Sequence, residues 1–147
     1  MTRMYPKQPV VGVGVIVCRD DRVLLVRRAK APGEGNWSLP GGAQELGETV
    51  IEAARREVLE ETSVSVDVLG LVDVVDSIHA DSAGRVRYHY TLVDVVAEWR
   101  AGEARPLDDA AAVAWVERGR LDEHDLWLET LRVIDLAWEM RQALGVL

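Results

Sequence analysis

The chain contains one cysteine, Cys18, so an internal disulfide framework is excluded. It has no run approaching the roughly 18 consecutive apolar residues that a membrane-spanning helix needs. Its first residues carry two basic groups with no apolar core behind them, and Val10–Cys18 is too short for a signal peptide and lacks a small-residue cleavage site. With no address in the sequence, a cytoplasmic location is the default expectation. Positive charge is also scarce: 17 Lys+Arg stand against 25 Asp+Glu, a formal net charge of −8, and only Lys7 and Lys30 are lysines. Such a surface lacks the electrostatic footprint of a DNA- or RNA-binding protein, so a nucleic-acid polymer is not an expected partner.

What is present reads as globular. Hydrophobic residues make up 48% of the 147 and charged residues 29%, which suits one α/β domain spanning residues 1–147. No repeat, linker or low-complexity tract divides it. Pro9–Cys18 places Val11, Val13, Val15 and Val17 on one face and Val10, Ile16 and two glycines on the other, the pattern of a strand buried on both sides. Asp20-Asp21 reads as a turn into a second strand, Val23–Val26, and Ala31–Asn36 is a loop of breaker residues. Thr49 predicts a helix cap, with Glu52 completing a capping box for a helix to about Thr62. Val64–Val75 and Val86–Glu98 read as an antiparallel hairpin around an Ala80–Gly84 turn, and Ala111–Val116 as a short strand. Arg118–Asp125 is ambiguous. From about Leu126 to Leu144, a helix would carry Trp127, Leu131, Ile134 and Trp138 on one apolar stripe.

The chemistry concentrates between Gly42 and Val64. At ~100° per residue, Glu57, Glu60 and Glu61 fall within about 100° of arc on one helix face, beside an apolar stripe of Ile51, Ala54 and Val58. Carboxylates at this spacing repel one another, and a divalent cation would supply the missing charge; an all-oxygen site suits Mg²⁺ or Mn²⁺ rather than Zn²⁺. Taken alone, the same residues also describe a solvated helix face with Arg56–Glu60 and Glu52–Arg56 pairs. Two other patterns fail. Gly42–Thr49 has the spacing of a phosphate-binding loop, but Glu48 stands where the lysine belongs, and Gly12-x-Gly14 lacks the third glycine and the following helix of a dinucleotide fingerprint.

The full pattern is Gly42, Glu48, Arg56-Glu57-Val58-Leu59-Glu60-Glu61, then Ser63-Val64. It resembles the Nudix hydrolase box, G-x5-E-x7-R-E-U-x-E-E-x-G-U, where U is bulky and apolar. Ser63 replaces the family glycine, a left-handed helix cap, so the helix should end less comfortably there. Trp37-x-Leu-Pro-Gly-Gly before the box is similar to the family too. The resemblance implies a Nudix-like α/β/α sandwich with a mixed sheet, a catalytic helix at about Thr49–Thr62 and a C-terminal helix. It implies metal-dependent hydrolysis of a diphosphate linkage, the metal neutralising phosphate oxygens and activating water.

By position, Glu57, Glu60 and Glu61 would be metal ligands, with a backbone carbonyl near Gly41–Gly42 as a further one. Arg56 with Glu48 would hold loop and helix in register. The general base stays open between Glu57, Glu61 and an acid from Ala101–Ala110, where Glu103, Asp108 and Asp109 cluster. Arg27 and Arg28 could clamp phosphate, and Trp37 could stack a base or pack in the core; Gly41 joins Arg28 and Trp37 as a substrate-binding candidate. Tyr88, His89 and Tyr90 read as strand packing, His79 and His124 as too isolated for metal, and Cys18 as an inert buried residue. Ile78–Ser82 carries none of the residues that mark particular substrates in the family. The second half is similar to bacterial ADP-ribose or nucleotide pyrophosphatases, so the expectation leans to ADP-ribose or a similar sugar nucleotide. The alternatives are a canonical or oxidised nucleoside triphosphate and a non-catalytic nucleotide-binding domain. Five tryptophans and the terminal apolar stripe also raise the expectation of a homodimer.

Overall fold

A computed structural model describes residues 3–145. Strand β1 (Val10–Arg19) turns through Asp20, at a left-handed φ of 55°, into β2 (Arg22–Arg28), with Arg19 paired to Arg22 across a two-residue loop. An acidic pair tolerates this turn because Asp visits the left-handed region more readily than most residues. Two short strands, β3 (Trp37–Ser38) and β4 (Gly41–Ala43), precede helix α1 (Val50–Thr62). A long hairpin follows, β5 (Ser65–Ala80) and β6 (Val86–Ala101), then β7 (Ala110–Glu117), a 3₁₀ helix over Arg118–His124, and α2 (Leu128–Ala143).

The strands make one mixed sheet. Its order is β3-β2-β1-β6-β5, with β4 on β1 and β7 on β2; β1 and β6 run parallel and the other pairs antiparallel. Because side chains alternate along a strand, β1 feeds two cores. Val13, Val15 and Val17 meet Ala53, Ala54 and Val58 of α1, while Ile16 and Cys18 meet Val133, Ile134, Ala137 and Trp138 of α2. Each fully buried Val, Leu or Ile contributes roughly 1.5–3 kcal/mol, so the α/β/α sandwich follows from a central strand that is apolar on both sides. Arg141, only 2% exposed, ties the end of α2 to the sheet: its guanidinium donates to both Glu98 carboxylate oxygens at 2.7 and 2.8 Å and to the Asp20 carbonyl at 2.6 Å. Cys18 is buried, and desolvation pushes its thiol up to about 12, as befits an inert packing residue. Among the described residues, no helix is long and apolar enough to cross a membrane.

Several expectations need correction. The short strands β3 and β4 had no assignment from the sequence; they carry no alternating pattern and exist through pairing with β2 and β1. The hairpin strands run beyond Val75 and Glu98, to Ala80 and Ala101. The ambiguous Arg118–Asp125 is a 3₁₀ helix and its left-handed cap. Helix α2 starts at Leu128, so Trp127 precedes the stripe as its N-cap and is exposed. Val11 and Ile51 are exposed as well; α1 turns Ala53, Ala54 and Val58 inward, and Ile51 falls outside its buried stripe. With Ile134 and Trp138 buried inside the chain, the stripe no longer argues for a dimer.

Candidate active site

The site is built where α1 crosses β4. Thr49 caps the helix as read from the sequence, its hydroxyl accepting from the Glu52 N–H at 3.1 Å while the Glu52 carboxylate accepts from the Thr49 N–H at 3.2 Å. At the other end Ser63 adopts the left-handed conformation itself, φ 66° and ψ 10°, and its N–H donates to the Leu59 carbonyl at 3.0 Å. The cap is kept without the glycine.

Two glycines permit close approaches here, Gly41 to the backbone of β1 and Gly42 to helix α1. A Cβ on Gly41 would lie 1.9 Å from the Val13 carbonyl oxygen, and one on Gly42 would lie 2.5 Å from the Glu57 carboxyl group. The Gly41 N–H donates to Glu61 Oε1 at 2.8 Å. Thus the Gly-Gly pair seats one carboxylate against a missing side chain and binds the other through its backbone.

Arg56 joins the rest. Its Nε and Nη2 donate to the two Glu48 oxygens at 2.6 and 2.9 Å, Nη1 to Glu57 at 2.8 Å and Glu60 at 3.2 Å, and Nη2 to the Ala43 carbonyl at 3.1 Å. Loop and helix are therefore cross-linked by one guanidinium whose fork matches a carboxylate. The Arg56 bonds and the Glu45 N–H hold Glu48 down at about 2, and Glu48 in turn raises Arg56.

Glu57 and Glu61 are shifted the opposite way. Burial raises Glu57 against the pull of Arg56, and burial pushes Glu61 up to about 7 despite the Gly41 N–H, with Glu57 adding to the rise. Two desolvated carboxylates, one of which raises the other, are short of positive charge, which suits a hard divalent cation. Yet among the described residues no three such groups are gathered closely enough to form a metal cluster: Glu57 and Glu60 share Arg56 Nη1, and Glu61 is held by the Gly41 N–H. The donor chemistry fits Mg²⁺ or Mn²⁺; the side chains would have to exchange those partners for it.

The other candidates divide. Arg28 lies near enough to Glu61 to oppose its rise, and its Nε donates to the Pro32 carbonyl at 2.6 Å. The β6–β7 loop reaches the end of α1, with the Leu107 N–H donating to the Glu61 carbonyl at 2.9 Å, and the charges of Asp108 and Asp109 act on Glu57 and Glu61 respectively. Asp109 also pairs with Lys30 at 2.8 Å, whereas Glu103 is exposed on the same loop. Trp37 is half-buried against the α2-side core, edge-on to His124 with ring centroids 5.3 Å apart. Tyr88 is buried in the sheet, edge-on to His79 at 6.4 Å. Reading the sequence did not single out Asp94, a buried carboxylate on β6. Its one signal was an acid inside the apolar run Leu92–Ala97 of that strand.

Residues 8–137 match the family model of the NUDIX domain. An ADP-ribose pyrophosphatase of Methanocaldococcus jannaschii is 36% identical over 119 residues, covering 81% of this chain and 68% of that protein. An oxidized purine nucleoside triphosphate hydrolase of Mus musculus is 31% identical over 115 residues, covering 77% and 69%. The crystal structure of a MutT NUDIX hydrolase from Burkholderia pseudomallei superposes with a TM-score of 0.75 at 32% identity, covering 88% of this chain and 98% of that one. With the box residues assembled on one helix against Gly41–Gly42, these matches place the chain in the Nudix hydrolase family.

Proposed function

We propose that the chain, as a single domain, hydrolyses the diphosphate linkage of a nucleoside diphosphate derivative, with ADP-ribose as the leading substrate. The observation that carries this is the pairing of Glu57 and Glu61 on one helix against the Gly41–Gly42 backbone, with Arg56 tying Glu48, Glu57 and Glu60 together. The similarity to the M. jannaschii ADP-ribose pyrophosphatase supports the substrate class. A second reading, an oxidised nucleoside triphosphate, is favoured by the mouse relative.

Glu57, Glu60 and Glu61, with the Gly42 backbone, would hold Mg²⁺ or Mn²⁺, which when bound screens the diphosphate and lowers the pKa of water. Arg56 fixes the helix carboxylates relative to the loop and limits how far they can splay. Glu48 orients that guanidinium through its two hydrogen bonds. Arg28, close to Glu61, presents a cation on the side where a phosphate oxygen would gather charge. Glu57, Glu61 and the loop acids Asp108 and Asp109 are our candidates for the group that takes the proton of an attacking water.

The test is a product screen of the purified protein with Mg²⁺ against ADP-ribose, sugar nucleotides, dinucleotides, and canonical and oxidised nucleoside triphosphates. AMP released from ADP-ribose, at a kcat/KM above that for every triphosphate, supports the reading. Pyrophosphate release from an oxidised triphosphate as the fastest reaction would replace it with the second. Self-association is a separate proposal, now resting on the exposed Leu71, Val74 and Ile78 of the outermost strand, and light scattering reads it directly.

A further inference from the structure

Asp94 is 5% exposed, and among the described residues no group donates a hydrogen bond to its carboxylate. Its strand neighbours fix its direction. Val95 and Ala97 belong to the core under α1 and Val96 to the core under α2, so Asp94 points to the α2 face. There it leans over β1: a Cβ on Gly14 would lie 2.3 Å from Asp94 Oδ1 and 3.7 Å from Leu39 Cδ1. The charged groups facing it are Asp73 of β5 and Arg132 of α2, and Arg132 spends its hydrogen bonds on Asp73, at 2.8 Å, and Glu129. Burial pushes the Asp94 carboxyl up to about 6. The fold thus leaves out a side chain at Gly14 to accommodate a carboxylate that no protein group satisfies. Among the described residues the fully buried side-chain atoms without a partner are Arg118 Nε and His124 Nδ1, so the Asp94 oxygens keep contact with solvent, from which a donor can reach them.

The register places this carboxylate beside the site. Gly41, Gly14 and Asp94 lie in one row across β4, β1 and β6. Two strand spacings, about 10 Å, separate the Gly41 backbone that binds Glu61 from the backbone of Asp94. A ligand whose diphosphate lay against Glu57 and Glu61 would have to pass the edge of the three-residue strand β4 to bring its nucleoside to the opposite face. An anion would be repelled there, so the partner of Asp94 is a neutral donor.

We propose that Asp94 is a recognition residue that accepts a hydrogen bond from an N–H or O–H of the nucleoside half of the substrate, on the sheet face opposite α1. The proposal rests on the nucleotide diphosphatase reading. A carboxylate that binds one neutral donor discriminates strongly against ligands lacking it, because such a ligand covers the acceptor without pairing it.

The experiment compares the wild type with Asp94→Asn and Asp94→Leu. Calorimetry gives Kd for AMP in Mg²⁺, and kinetics with ADP-ribose give KM and kcat. Asp94→Leu is expected to raise both Kd and KM at least tenfold while kcat at saturation changes less than threefold. Two AMP analogues identify the donor, one lacking the base amino group and one lacking the ribose 2′-hydroxyl. The analogue that binds weakly to the wild type but no worse than AMP to Asp94→Leu has lost the group that Asp94 binds. Unchanged Kd in both variants, or equal losses for both analogues in wild type and Asp94→Leu, would overturn the proposal. Tight AMP binding without any product would defeat the hydrolase reading instead, and leave Asp94 to be judged by Kd.

Discussion

Replacing Gly42 by alanine perturbs the site at one point. The added Cβ would sit 2.5 Å from Glu57 Cδ and Oε1 and 2.6 Å from Oε2, in a backbone conformation that alanine can adopt. Ordinary contact begins near 3.4 Å, so the carboxyl must retreat by about 1 Å or turn away. Either motion breaks the 2.8 Å bond from Arg56. Overpacking of this kind costs about 1–3 kcal/mol of stability, which for a chain of this size lowers Tm by roughly 2–10 °C. The effect on rate should be larger, because a 1 Å misplacement of a positioned group costs about 10²-fold. Hydrolysis of ADP-ribose is followed across a Mg²⁺ titration, with Gly70→Ala as the control, since its Cβ would meet only Met140 Cε at 3.5 Å. The expected result is kcat/KM down about 10²-fold in Gly42→Ala and unchanged in Gly70→Ala, with a cooperative melt in both. Activity within twofold of wild type in Gly42→Ala would refute the role given to the Glu57 seat.

Other outcomes follow from the same structure. Ser63→Gly should raise stability by about 1 kcal/mol, because Ser63 holds a φ of 66° that glycine adopts without strain; a Tm rise of roughly 2–4 °C checks it. Arg141→Met should cost about 3–5 kcal/mol in urea unfolding, since it leaves Glu98 without its bidentate partner and the Asp20 carbonyl without a donor. Asp94 binds its proton more tightly folded than unfolded, so its contribution to stability falls as pH rises from about 4 to about 6. That loss is on the order of 3 kcal/mol, and denaturation of Asp94→Leu against wild type across this range should show the variant gaining relative stability toward neutral pH.

The box was legible because its chemistry is local: spacing along one helix puts Glu57, Glu60 and Glu61 on one face, and Thr49 with Glu52 announces where that helix begins. The double-sided strand β1 likewise declared the layered fold, since only a strand covered by helices on both faces is apolar throughout. What pairing creates was not legible. Strands β3 and β4 are too short to carry a period, and nothing in Gly41-Gly42 alone says that a carboxylate fills the space of an absent Cβ. The stripe on the last helix misplaced Trp127 because periodicity does not mark the first turn. Asp94 was silent because its meaning depends on Gly14, 80 positions away in sequence and adjacent in the sheet.

Glu57 and Glu61 on α1 are proposed to carry metal-dependent cleavage of a diphosphate. Glu57→Gln and Glu61→Gln keep shape and remove charge, so AMP release from ADP-ribose in Mg²⁺, read beside the thermal melt, tests it most directly. The expected result is that kcat falls at least about 10³-fold in Glu61→Gln, that chelation abolishes the wild-type reaction, and that both variants still melt cooperatively. Undiminished AMP release by Glu57→Gln and Glu61→Gln, or by the wild type in excess chelator, would contradict it.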